Sequence, residues 1–343
     1  MTTNHQWLLK QRPAAMPSED DFELVETPVP EPGDGQFVMR ASVLSVDPYM
    51  RGRMRDVKSY VPPVQIGEVM TGASVGAVVA SKHPDFKEGD IVEGRFGWQD
   101  YALSDGRADG ARKVDASLAP ISTALGVLGM PGMTAYFGLT EVGQPKEGET
   151  VLVSAASGAV GGLVGQIARI KGCRAVGIAG GPEKCAYLKD ELGYDAAIDH
   201  RQTKDMKAMA TAIGEAAPEG IDVYFDNVGG MTLDAVLTRI NLHARIAICG
   251  MISEYNQTEQ ELAPRPTRAL LVQRARMQGL IVFDWADRYG EGMAQMAAWI
   301  KEGTLKYRED VLDGIENMPK AMLRLFSGQN FGKQLVRAAP DPS

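Results

Sequence analysis

Two kinds of hydrophobic spacing divide this chain. Up to about residue 120 the apolar positions fall in short runs broken by Gly, Pro and Asp. Residues 29–51, VPEPGDGQFVMRASVLSVDPYMR, set two Pro/Gly turns around one apolar strand at 37–46, and residues 67–104 alternate brief β-type runs with Gly/Asp turns. That spacing predicts an irregular β-barrel. Beyond it the period lengthens, and 117–143, SLAPISTALGVLGMPGMTAYFGLTEVG, reads as helical.

From there strand and helix patterns alternate. Strand-type runs at 149–156, 173–180, 195–200, 221–229, 244–250 and 275–284 are separated by helix-type segments at 162–172, 182–193, 204–217, 230–241 and 268–275. Such alternation predicts a parallel sheet with crossover helices, and the nearly all-apolar strands fit a sheet covered on both faces. The end returns to mixed character. Residues 290–305 are amphipathic, with Met293, Met296, Ala297 and Ile300 on one face, and a strand, a helix and a final strand at 331–339 follow.

Composition narrows the possibilities without choosing among them. With 44% hydrophobic and 23% charged residues the chain is of ordinary globular make-up. No apolar run approaches the length of a membrane span, and the start, MTTNHQWLLKQRPAAMP, lacks the basic-then-apolar order of a signal peptide. A cytoplasmic location with no membrane partner is expected. The net charge of −8 disfavours nucleic acid and leaves room for a local basic pocket around one phosphate. Three cysteines, Cys173, Cys185 and Cys249, are odd in number and dispersed, so no disulfide framework is expected.

The chemistry-bearing stretch is 151–171, VLVSAASGAVGGLVGQIARIK. An apolar strand runs into Ala156-Ser157-Gly158-Ala159-Val160-Gly161 and straight on into a helix. This is the G-x-G-x-x-G dinucleotide fingerprint with Ala at its first position, in the strand–turn–helix context that gives the pattern meaning. Gly158 lets a pyrophosphate approach the backbone, the helix amides supply donors, and Gly161 lets helix and strand pack closely. The expected fold class is therefore α/β, with a Rossmann-type doubly wound parallel sheet.

Cofactor choice is read at the end of the second strand. An NAD site places Asp or Glu there for the ribose hydroxyls. Here the strand ends in Ala179-Gly180-Gly181 with no acid. Gly180 leaves space for a ribose phosphate, and Lys184, or alternatively Arg201, can meet its charge. NADPH is the expected cofactor, although Lys184 also reads as a solvated lysine in a helix's first turn. His200, at the end of the third strand, reads equally as part of an adenine pocket or as a surface histidine. Cys185 lies in a helix's first turn, where a thiol's pKa can fall, but its neighbours favour packing.

The four histidines, His5, His83, His200 and His243, pair with no Cys or second His at ligand spacing, so no metal site is expected. Ser157 lacks a G-x-S-x-G frame. The chemistry thus belongs to the cofactor.

Several stretches carry a further resemblance: VDPYMRGRM at 46–54, GEVMTGASVGAVVASKHPDFKEGD at 67–90, LGMPGMTAYFGL at 128–139, FDNVGG at 225–230, ICGMISEYN at 248–256, ENMPKAM at 316–322 and GQNFGKQLV at 328–336. Together with the fingerprint they resemble the zinc-independent medium-chain dehydrogenases/reductases, in the branch of leukotriene hydroxydehydrogenases, prostaglandin reductases and alkenal double-bond reductases. The resemblance implies a GroES-like β-barrel catalytic domain from residues 1–123 plus 306–343, and a Rossmann NADPH-binding domain at 124–305. It also implies a homodimer and the reduction of the carbon–carbon double bond of an enone or enal.

Residue by residue, the resemblance implies that Gly158, Ala159, Val160 and Gly161 meet the pyrophosphate and Lys184 the ribose phosphate. Asn227, Cys249, Gly250, Ile252 and Tyr255 would line the nicotinamide side, and Asn330 would reach the cofactor from the tail. Tyr255 would be the catalytic hydrogen-bond donor, or else only line the pocket. His200 stands where the family often has tyrosine. Tyr49 would touch substrate or pack the barrel, with Arg51 near it at the cleft floor. Two alternatives stay open: an NADPH:quinone reductase, and a non-catalytic NADPH-binding protein.

Overall fold

The computed structural model describes residues 3–259, 262, 263 and 266–342. The chain divides into two compact units, Met1–Gly126 with Glu309–Ser343, and Val127–Arg308.

In the first unit the apolar strand read at 37–46 forms as Phe37–Ser45, buried at all but one of its nine positions. It is the hub of a seven-stranded sheet, pairing antiparallel with Ser74–Ser81, Tyr101–Ser104 and Lys333–Arg337. Register shifts at Val38/Met39 and Ala41/Val43 bend it, which lets the sheet curl. Thr3–Leu9 and Phe22–Pro28 form a separate antiparallel pair, held by bridges from Gln6 to Gln99 and Leu8 to Val69. Phe37, Met39, Leu44, Met50, Trp98 and Met322 fill the enclosed core. The last strand of the chain thus completes a sheet begun near its start.

The second unit carries a six-stranded parallel sheet. Its spatial order is Ala196–Asp199, Arg174–Ala179, Thr150–Val153, Ile221–Asp226, Ile240–Ile248, Arg276–Gly279. Counted along the chain this is 3-2-1-4-5-6, so the direction of winding reverses between Thr150–Val153 and Ile221–Asp226. Loops at the carboxyl ends of those two strands therefore diverge and leave a crevice for a ligand.

Two sequence expectations need correction. The stretch 117–143 is not one helix. A 3-10 turn, Ile121–Leu125, ends at Gly126, whose φ of −128° and ψ of −111° no helix accommodates. The α-helix Met130–Phe137 starts afresh with Pro131 in its first turn and widens into a π-helical turn, Gly138–Gly143. The strand read at 275–284 is less than half as long: only Arg276–Gly279 joins the sheet, and Val282–Arg288 coils into 3-10 helix.

Candidate dinucleotide and active site

The first strand of the parallel sheet ends at Val153. The chain then turns through Ala155, whose φ is +47°, before entering the helix Gly161–Ile170. The turn is closed by Gly158 N–H to Ala155 O at 3.0 Å and fixed to the sheet by Ala156 N–H to Ile178 O at 2.9 Å. A Cβ at Gly161 would stand 2.4 Å from Ala155 O and 2.8 Å from Ala156 Cα, so only glycine lets the helix begin this close to the turn. A Cβ at Gly158 would meet Ala155 O at 3.2 Å and otherwise point into open space. Val160 caps the helix and Gly161 is its first residue, so the turn delivers its backbone to the helix's amino end, which presents the positive dipole end.

Across the crevice, the ends of the fourth and fifth strands are laced together. Cys249 and Gly250 donate to Asp226 O at 2.8 and 3.1 Å, Ile252 donates to Asn227 O at 3.3 Å, and Ser253 to Val228 O at 3.1 Å. The structure thereby gathers Asn227, Cys249, Gly250, Ile252 and Tyr255 in one loop pair. Tyr255 is half-buried, and its phenol oxygen accepts from the Met251 amide at 3.3 Å. Asn227 is held by Nδ2 donating to Ser154 O at 2.7 Å, and its own amide donates to Ser154 Oγ at 2.9 Å.

Beneath this loop pair lies Asp226, fully buried, which the sequence reading passed over. Its Oδ1 accepts from Ser154 Oγ, Tyr224 OH, Val228 N–H and Gly229 N–H at 2.7–3.0 Å. Burial, reinforced by the Asp226 charge, pushes the Cys249 thiol up to about 12, which keeps it protonated. The one available signal was a carboxylate closing an otherwise apolar strand, IDVYFD.

The second strand ends as expected at Ala179, followed by Gly180 and Gly181 with no acid. A Cβ at Gly180 would come within 2.8 Å of His200 Nε2, and one at Gly181 within 3.1 Å of an Arg201 guanidinium nitrogen. The imidazole and the guanidinium therefore overlie this diglycine, and Lys184 lies in the first turn of the adjoining helix Pro182–Asp190. Partial desolvation lowers the His200 pKa, and the charges of Arg201 and Lys184 press the same way against Asp199. An acid does stand nearby: Asp199, on the neighbouring strand, accepts the Gly181 and Arg201 amides on Oδ1 at 2.7 and 3.0 Å. Both bonds use it as a backbone cap. A glycine cradle, helix-opening amides and three basic groups form a donor set that fits a dinucleotide bearing an extra phosphate.

Cys185 is buried, and burial raises its pKa, so the packing reading holds over thiol activation. In the first unit, Tyr49 packs against the core, and burial followed by the Asp47 charge raises its phenol pKa. Arg51, read as lining a cleft floor, is fully buried and donates Nη2 to Pro13 O and Ala15 O at 3.2 and 2.7 Å. Asn330 is half-buried, its Nδ2 donating to Gly332 O at 3.1 Å. Among the described residues no three His, Cys, Asp or Glu side chains gather as a metal-binding group.

The sheet order and the glycine turn at its reversal point define a Rossmann-type nucleotide-binding unit, carried in one chain with a β-rich unit. A family model described as the N-terminal domain of oxidoreductase matches residues 5–114, and one described as zinc-binding dehydrogenase matches 159–299. The NADPH-dependent curcumin reductase of Escherichia coli is 48% identical, over 98% of this chain and 98% of its own length. The NADP(+)-dependent 2-alkenal reductase of Nicotiana tabacum is 44% identical, over 97% of each chain. The crystal structure of CurA in complex with NADPH from Vibrio vulnificus superposes with a TM-score of 0.92 at 47% identity, covering 98% of this chain and 99% of that one. This chain belongs to the medium-chain dehydrogenase/reductase family, in the branch of the alkenal double-bond and prostaglandin reductases.

Proposed function

We propose that this chain is an NADPH-dependent reductase of the carbon–carbon double bond of α,β-unsaturated ketones and aldehydes. The observation that carries the reading is the pairing of two features in the unit Val127–Arg308. One is a glycine turn facing the Asn227–Tyr255 loop pair; the other is a base-lined diglycine where an acid would select NADH. The names of the relatives, a curcumin reductase and a 2-alkenal reductase, support the same chemistry.

NADPH, when bound, supplies the hydride that adds to the β-carbon of the enone. Gly158, Ala159, Val160 and Gly161 receive the pyrophosphate, and Lys184 and His200 the ribose phosphate. Asn227, Cys249, Gly250 and Ile252 shape the nicotinamide side, and Asn330 is a further cofactor contact. Tyr255 donates to the substrate oxygen as charge builds on the enolate, which then takes a proton at its α-carbon. Conjugate reduction needs only such a donor, because the charge spreads over the enolate. Tyr49 contacts the substrate. Residues 1–123 plus 306–343 act as the catalytic domain and 124–305 as the cofactor domain.

We place the protein in the cytoplasm as a homodimer. The sheet ends in an exposed edge strand, Arg276–Gly279, which supports addition of a second copy. No described helix is long and apolar enough to cross a membrane.

Steady-state NADPH oxidation with an enal panel and a quinone panel, each with and without exhaustive chelation, tests the reading. Saturated ketone or aldehyde, formed equally with chelator present, is the expected result. Quinone turnover without enal turnover would replace it, and NADPH binding without turnover of either panel would make the chain a binding protein.

A further inference from the structure

The most deeply buried ion pair of the first unit joins two segments far apart in sequence. Lys333 is 3% exposed and Asp47 5%. The Lys333 ammonium donates to Asp47 Oδ1 at 2.7 Å, to Ser45 Oγ at 2.7 Å and to Val46 O at 2.9 Å. Ser45 Oγ donates in turn to Asp47 Oδ2. Burial presses the lysine pKa down and the Asp47 charge opposes it. Glu309, the other acid acting on Lys333, has its own pKa raised by burial.

All three lysine bonds end within residues 45–47, at the close of the strand Phe37–Ser45. Tyr49 follows Asp47 by two residues, and Asn330 precedes Lys333 by three. The pair therefore ties together, at their roots, the two segments of this unit that the proposed reaction uses. A buried ion pair is a poor source of stability, since desolvation takes back much of what attraction gives and an apolar pair of similar volume does as well. Three directed donors on adjacent acceptors do fix geometry, which apolar contact does less sharply.

We propose that Lys333 and Asp47 are positioning residues, holding the Tyr49 turn and the Asn330 turn in fixed register for enone and cofactor. The proposal rests on the reductase reading for what those two turns touch.

The test uses the full chain with Lys333→Met, Asp47→Asn and the double variant, and reads the thermal midpoint, the enone KM and kcat, and the NADPH Kd by fluorescence. Either single change strands a buried charge and lowers the midpoint. The double change removes both charges and recovers most of that loss. Even so, its enone KM and NADPH Kd stay raised about tenfold, because small misplacements of positioning groups are costly. Lys333→Arg, which keeps the charge and donors, recovers part of both constants. Recovery of midpoint, KM and Kd together in the double variant would make the pair merely structural and overturn the proposal. Should the unaltered chain reduce no enone, the reductase reading fails on its own. The NADPH Kd then decides the pair: a raised value supports positioning, an unchanged one overturns it.

Discussion

The Tyr194 hydroxyl donates to Gly161 O across 2.6 Å and accepts from the Gly165 amide at 3.1 Å, so one buried phenol grips two successive turns of the helix that follows the glycine loop. Tyr194→Phe removes two buried hydrogen bonds, while Gly161 O and Gly165 N–H, an i, i+4 pair of the helix, remain able to bond each other. A loss of about 1 kcal/mol is expected, read as a thermal midpoint lower by a few degrees. Gly165→Ala is expected to be worse, because its Cβ would fall 1.9 Å from the Tyr194 ring. An unchanged midpoint for Tyr194→Phe would mean the grip contributes nothing.

Cofactor selectivity should respond to Lys184. Its replacement by Ala is expected to raise the KM for NADPH by about tenfold or more, the scale of a lost charge-assisted contact of 1.5–3 kcal/mol, while the KM for NADH moves little. Equal native affinity for the two cofactors would remove the basis of the idea.

How much of this was readable beforehand depended on distance along the chain. The glycine fingerprint was legible because strand, turn and helix are contiguous, and the parallel sheet because each strand and crossover helix keeps its own period. Asp226 and Ser154 were not, because their bond spans 72 residues and neither belongs to a local motif. Asp199 escaped for a related reason: it caps Gly181 from the next strand of the sheet, 18 residues on. The helical reading of 117–143 did not foresee its division, because apolar spacing is blind to the backbone break at Gly126.

Tyr255→Phe separates chemistry from binding. Turnover is expected to fall about a hundredfold, as for other lost oxyanion donors, with the NADPH Kd nearly unchanged. Product analysis decides the rest: a saturated carbonyl compound is expected, and an allylic alcohol would refute conjugate reduction. Unaltered turnover in the variant would remove Tyr255 from the mechanism and leave the reaction in place.

The thiols give a pH dependence of stability. Burial pushes Cys249 from an ordinary 9.0 to about 12 and Cys173 from 9.0 to about 11. The folded state therefore keeps protons that the unfolded chain releases. That contribution is complete below pH 9 and declines as pH rises from 9 through the folded values. Urea midpoints measured upward from pH 8 should drop above pH 9, and Cys173→Ala with Cys249→Ala should flatten the drop before tyrosines begin to ionise. An identical slope in that double variant would show that other groups set it.

The sheet of the first unit is finished by Lys333–Arg337, which pairs with Phe37–Ser45, and Trp7 donates its indole N–H to Ile315 O. On a ribosome, the opening 126 residues emerge long before the closing stretch that they require. The unit Val127–Arg308 is continuous and can fold as soon as its own length has appeared. Synthesis in that order allows the middle to close first, while the edge of Phe37–Ser45 that Lys333–Arg337 covers stays open until the end is made.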